Sequence, residues 1–104
     1  LRPGTHLDLI GGFTPAMRET DDDAVRRAQL FVDSRWFTVE HVGDLTQPIA
    51  SGVITRAHVL ADLFELCGGQ HGGRSDMQQI TLFKSGGGAH LDLMTAQYIA
   101  RQIA

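Results

Sequence analysis

Apolar residues come in short bursts separated by glycine, proline and acidic breakers. His6-Leu7-Asp8-Leu9-Ile10 lies between Pro3-Gly4 and Gly11-Gly12, and a short apolar-rich run between breakers predicts a strand over residues 6–10. Residues 13–19, around Pro15, read as a loop. Thr20 before Asp21-Asp22-Asp23 reads as a helix start, the hydroxyl capping and the carboxylates facing the positive end of the dipole. A short helix over 22–28 gives way to Leu30-Phe31-Val32, a buried strand stopped by Asp33-Ser34. Residues 35–42 are weakly helical, Gly43-Asp44 breaks that stretch, and 46–52, around Pro48, is loop. Apolar positions 59, 60, 63, 64 and 67 have the i, i+3/i+4 spacing of an amphipathic helix over 55–67, capped by Gly68-Gly69. After a polar loop over 70–78, Ile80-Thr81-Leu82-Phe83 predicts a third strand. A tight turn over 85–88 leads to a final helix over about 89–103, with Leu91, Leu93, Met94, Tyr98, Ile99 and Ile103 apolar.

This order, β-α-β-α-α-β-α, predicts an α/β fold: a partial Rossmann-like three-layer unit of about three parallel strands with flanking helices and right-handed crossovers. A parallel sheet needs both faces covered and its edges managed, and three strands are few for that. The pattern therefore suggests part of a larger sheet, an expectation that a first residue of Leu1 rather than methionine strengthens.

Length and composition narrow the class. One domain with a modest core fits 104 residues. With 42% hydrophobic and 20% charged residues the chain is globular, and a net charge of −3 argues against nucleic-acid or anionic-membrane partners. No apolar run has the length of a membrane span. The single cysteine, Cys67, excludes an internal disulfide and a multi-cysteine zinc site; it fits the reducing cytoplasm and reads as a small buried hydrophobe. The five histidines lie far apart and form no H-x-x-x-H pair, so no metal site is expected. Arg18 and Glu19 are expected to orient each other or cap the helix at Thr20. Lys84, the only lysine, takes a cleft-lining or structural role at a strand end, and Arg74 with Asp76 is solvated surface. The twelve glycines cluster, as Gly11-Gly12, Gly68-Gly69, Gly72-Gly73 and Gly86-Gly87-Gly88.

Five segments then occur in order: Pro3-Gly4-Thr5-His6, Gly11-Gly12-Phe13-Thr14-Pro15-Ala16-Met17-Arg18-Glu19, Phe31-Val32-Asp33-Ser34-Arg35, Gly43-Asp44-Leu45 and Ile80-Thr81-Leu82-Phe83-Lys84-Ser85. Each is weak alone. In register over essentially the whole chain, the set resembles the ornithine cyclodeaminase/mu-crystallin family, which includes cyclodeaminases, alanine dehydrogenases, and ketimine and pyrroline-2-carboxylate reductases. The resemblance implies a longer parent with a split substrate and dimerisation domain and a Rossmann domain for NAD or NADP. Residues 1–104 resemble the second half of that Rossmann domain, with the final helix packing on another domain or subunit. The dinucleotide fingerprint is absent, since Gly86-Gly87-Gly88 has the wrong spacing for G-x-G-x-x-G.

By the same resemblance, the loop after the first strand (Gly12, Phe13, Met17) and the end of the third (Ser85, Gly86) face the nicotinamide, glycine letting the backbone approach a flat ring. Phe13 stands where cyclodeaminases carry an acidic residue, and Met17 where those members carry a basic cofactor contact. Phenylalanine transfers no proton, so the imine-reductase branch is expected for the parent. The expectation for this chain alone is no catalytic residue and no tightly bound cofactor. Leu91, Met94, Tyr98 and Ile99 need cover, which predicts a homo-oligomer, a dimer through the sheet edge or the last helix. The alternative is a stand-alone oligomerising or small-ligand-binding module derived from the family.

Overall fold

The structure is a computed structural model that describes residues 1–103, and of Ala89 the backbone alone. Its elements are β1 (His6–Leu9), α1 (Asp22–Arg27), β2 (Gln29–Val32), a π-helical turn (Arg35–Val39), α2 (Gly43–Ala50), a 3-10 turn (Arg56–His58), β3 (Val59–Asp62), α3 (Leu63–Cys67), β4 (Thr81–Lys84) and α4 (Ala89–Ile103). The α/β expectation holds, with one correction: the sheet has four strands, ordered β1-β4-β2-β3, and every pairing is parallel.

β4 is last in sequence but interior in space. Its register puts Leu7, Leu82 and Leu30 in one row, and Leu9, Lys84 and Val32 in the next but one. Side chains alternate across a strand, so both rows share a face. That face carries the core: Leu9, Leu30, Val32 and Leu82 pack with Val25 and Ala28 from α1 and Leu45 from α2. Each such side chain contributes roughly 1.5–3 kcal/mol on burial. On the other face Phe31 meets the edge of His71, with centroids 5.3 Å apart, and His6 Nδ1 lies 2.7 Å from Thr81 Oγ1.

The missed strand lies inside the predicted helix over 55–67. Val59 and Ala61 are buried and Leu60 is exposed, the alternation of a sheet edge. Asp62 then ends β3 and caps α3: it accepts from the Glu65 N–H at 2.9 Å while the Glu65 side chain accepts from the Asp62 N–H, a capping box. Residues 43–50, expected as a breaker and loop, are α2, with Pro48 inside it and buried. The cap of α1 is Asp21, whose carboxylate accepts from the Ala24 N–H, rather than the Thr20 hydroxyl. Cys67 is exposed, not buried.

Arg74 is also not simple surface. Its guanidinium donates to the carbonyls of Gly4, Thr5 and Gln79 and to Thr81 Oγ1, stitching the 70–79 loop to the start of β1. The final helix is where the sequence places it, and among its residues with described side chains all but Leu91 are exposed, Met94 and Tyr98 each at 63%. No described helix is long and apolar enough to cross a membrane.

Candidate functional site

All four strands run the same way, so Leu9, Val32, Asp62 and Lys84 end on one edge of the sheet. In open α/β sheets ligands sit beyond that edge. Two buried polar knots organise the loops that leave it.

The first centres on Lys84, which has no solvent exposure. Its Nζ lies 2.7 Å from Glu19 Oε1 and 3.4 Å from Asp44 Oδ2. The same Glu19 oxygen accepts the backbone N–H groups of Gly11 and Gly12 at 2.8 and 3.0 Å. Asp44, in the first turn of α2 and fully buried, accepts the N–H groups of Glu19 and Thr20 through Oδ1 at 2.9 and 3.1 Å. Lys84, then the N–H groups of Gly12 and Gly11, hold the Glu19 carboxyl below its ordinary pKa, against the opposing effect of its partial burial. Further contacts lay the loop over α2: the Gly43 N–H donates to the Thr14 carbonyl, and Gln47 Nε2 donates to that of Pro15, both at 2.9 Å.

The second knot is Asp33, just past β2 and buried. It accepts from the Thr38 hydroxyl, from the Ser34 N–H at 2.8 Å and from the Gly86 N–H at 2.9 Å. This joins the exit of β2 to the exit of β4. The Ser85 N–H donates to the Leu9 carbonyl at 2.9 Å, joining the exit of β4 to that of β1. Beside this knot an apolar cleft of about 420 Å³ opens between the π-helical turn, α3 and the start of α4, with Trp36, Phe64 and Met94 on its walls.

Every site residue read from the sequence therefore lies in the loops at this edge. Gly12 and Met17 come together at the first knot, and Ser85 and Gly86 lie on the neighbouring strand exit. Phe13 and Met17 face solvent, 56% and 39% exposed. The glycines have a packing reason besides the one expected. A Cβ on Gly12 would lie 3.2 Å from Asp44 Oδ2 and 3.5 Å from Lys84 Nζ, and one on Gly86 would collide with Thr38 Oγ1 and the Phe37 ring. Both absent side chains point into the protein, so glycine there also makes room for the knots. Arg18 and Glu19 part company as well: Arg18 bonds Asp22 and the Thr20 carbonyl, while Glu19 turns inward to Lys84. The sequence reading missed Asp44 and Asp33. The one signal for the first knot is a lysine ending a strand in register with Leu9 and Val32. Among the described residues, no group of three His, Cys, Asp or Glu side chains converges as a metal site would require.

Comparison with known proteins agrees with this layout. A sequence model of the ornithine cyclodeaminase/mu-crystallin family matches residues 1–104. A Delta(1)-pyrroline-2-carboxylate reductase from Paracoccus denitrificans is 57% identical over 104 residues, all of this chain and 33% of that protein. A solved structure of Thermococcus litoralis Delta(1)-pyrroline-2-carboxylate reductase in complex with NADH and L-proline superposes with a TM-score of 0.87 at 39% identity, covering 93% of this chain and 30% of that one. The iminosuccinate reductase of Paracoccus denitrificans in complex with NAD+ gives a TM-score of 0.82 at 30% identity, over 97% of this chain and 30% of that one. The chain thus spans about a third of the length of the proteins it matches. On the family match over its whole length and the relatives that share its sheet, this chain belongs to the ornithine cyclodeaminase/mu-crystallin family.

Proposed function

We propose that this chain supplies the second half of the nicotinamide-binding domain of an NAD(P)-dependent reductase acting on a cyclic imine of the pyrroline-2-carboxylate or ketimine type, and that it does not turn over substrate alone. The observation that carries the reading is Phe13: an exposed apolar side chain at the strand-end edge, on a loop pinned at both ends. Relatives named as pyrroline-2-carboxylate reductases support it, and one of them was solved with NADH.

The residues at the edge suit a flat, weakly polar ring. Phe13 and Met17 offer exposed apolar surface, and Gly12, Ser85 and Gly86 fix the backbone beside it. When bound, a reduced nicotinamide supplies the hydride. Phe13 and Met17 would bear on the ring and exclude water, and Ser85 and Gly86 would hold the neighbouring exit. Phe13 cannot exchange a proton, which favours imine reduction over cyclodeamination.

The test is a chimera in which this chain replaces the matching third of the Paracoccus denitrificans reductase, assayed for NADH-dependent reduction of Delta(1)-pyrroline-2-carboxylate. Activity is expected from the chimera and none from the 104-residue chain alone. A folded but inactive chimera, or turnover by the chain alone, refutes the proposal. The exposed apolar face of α4 (Met94, Tyr98, Ile99) favours a second reading, self-association of this chain as a dimer, which light scattering reads directly.

A further inference from the structure

We propose that Glu19 and Lys84 are positioning residues: their ion pair, buried at its lysine end, grips the N–H groups of Gly11 and Gly12 and so sets the loop that presents Phe13 and Met17. The inference rests on the reading that this loop faces the nicotinamide.

The argument begins with cost. Lys84 sits in the row of Leu9 and Val32, on the core face of the interior strand, with no exposure. An apolar side chain would fill that place. Replacing buried ion pairs by well-packed apolar groups is often neutral or stabilising, because taking charges out of water is expensive. Core stability therefore does not explain a lysine there.

What the pair does, and an apolar residue could not, is orient backbone. One carboxylate oxygen of Glu19 takes three donors, Lys84 Nζ and the two successive N–H groups of Gly11 and Gly12. Charge-assisted bonds of this kind are shorter and stronger than neutral ones. The Glu19 backbone is itself fixed, since its N–H is held by Asp44. Both ends of the 11–20 loop are thus tied to one buried lysine, and its middle is tied to α2 by the Gly43 and Gln47 contacts. Gly12 completes the device: any side chain there would press on Asp44 and Lys84. Among the loop's outward side chains are Phe13 and Met17, its large apolar ones.

The experiment compares Glu19→Ala and Glu19→Gln. Glu19 is partly exposed, so both variants are expected to fold. Amide exchange at Gly11 and Gly12 is measured in the 104-residue chain, and kcat and KM for the imine are measured in the chimera described above. Glu19→Ala is expected to speed exchange at both glycines and lower kcat by on the order of 100-fold with KM for the imine little changed, as expected for a misplaced reacting geometry. Glu19→Gln keeps an acceptor oxygen and is expected to recover part of both. Unchanged exchange in Glu19→Ala shows that the pair does not hold the loop. Lost protection with full kcat shows that holding it does not serve the reaction. An inactive parent chimera overturns the functional reading and its positioning role together, while exchange still reports whether the knot grips the loop.

Discussion

Among the described residues Lys84 is the one cation within 4 Å of Asp44, so replacing it with methionine exposes what the buried charges cost. Asp44 is fully buried; its Oδ1 keeps two N–H donors, but its Oδ2 has no hydrogen bond and faces Lys84 Nζ at 3.4 Å. At an effective dielectric of about 20, the lost attraction at that distance is about 5 kcal/mol. Methionine returns about 2 kcal/mol by burying apolar surface. For the Asp44 contact alone, leaving out the half-exposed pair with Glu19, the net loss is about 3 kcal/mol, at the low end of what removing one partner of a buried pair costs. For a domain of this size that lowers Tm by roughly 12–24 °C. Adding Asp44→Asn to Lys84→Met removes the stranded charge while keeping an oxygen for the Glu19 and Thr20 N–H groups, so the double variant is expected to be more stable than Lys84→Met alone. Asp44→Asn in the wild-type background is expected to destabilise, because it turns an amide toward the ammonium. Urea denaturation followed by circular dichroism on the four proteins closes the cycle. If Asp44→Asn costs the same in both backgrounds, the uncompensated-charge argument is wrong.

Acid should loosen the same knot. Glu19 has a depressed pKa in the folded state, so its contribution is present above the ordinary carboxylate value and is lost as pH falls through the lowered one. Lys84 on β4 is the charged group paired with its carboxylate, and Asp44 on α2 meets the same ammonium and the Glu19 backbone N–H. Stability measured against pH should fall less steeply on the acid side in Glu19→Gln than in the wild type; identical slopes would contradict this. Gly43→Ala should destabilise by about 1–3 kcal/mol, the usual cost of overpacking, because its Cβ would collide with the carbonyl oxygens of Met17 and Pro15 where the loop crosses α2. A thermal melt within a degree or two of wild type would show that the loop yields instead.

The strands that read clearly from sequence are those whose burial is one-sided or complete and whose ends carry breakers: β1 before Gly11-Gly12, β2 before Asp33, and β4 before Ser85. α4 was legible because its apolar spacing continues for fifteen residues without interruption. The failure over 55–67 has a clear cause. Four residues of strand run directly into five of helix, so no window is long enough to show either period, and apolar positions from both elements combine into a false helical stripe. The D-x-x-E pattern of Asp62 and Glu65 marked the true helix start. In α2, Pro48 lies where a helix would not be predicted, yet its burial beside Leu45 and the core keeps the helix intact. Asp44 and Asp33 were invisible for a different reason. The partners that join them to other strands lie on distant stretches of chain, Lys84 for Asp44 and Gly86 for Asp33, and no local pattern encodes such a meeting.

The place of β4 also bears on how the chain acquires its shape. β1 and β2 touch only through β4, whose pairing with β1 joins His6 to Thr81. Among the described strands, β1 pairs with β4 alone, while β2 pairs with β3 as well. Closing so long a loop is paid in entropy before any contact rewards it, and topologies dominated by distant pairings fold slowly. Linking β1 to β2 therefore waits for residues 81–84. Of the four described strands, the one that joins the other pairings is the last in sequence, so the link between β1 and β2 forms only once the chain has passed it.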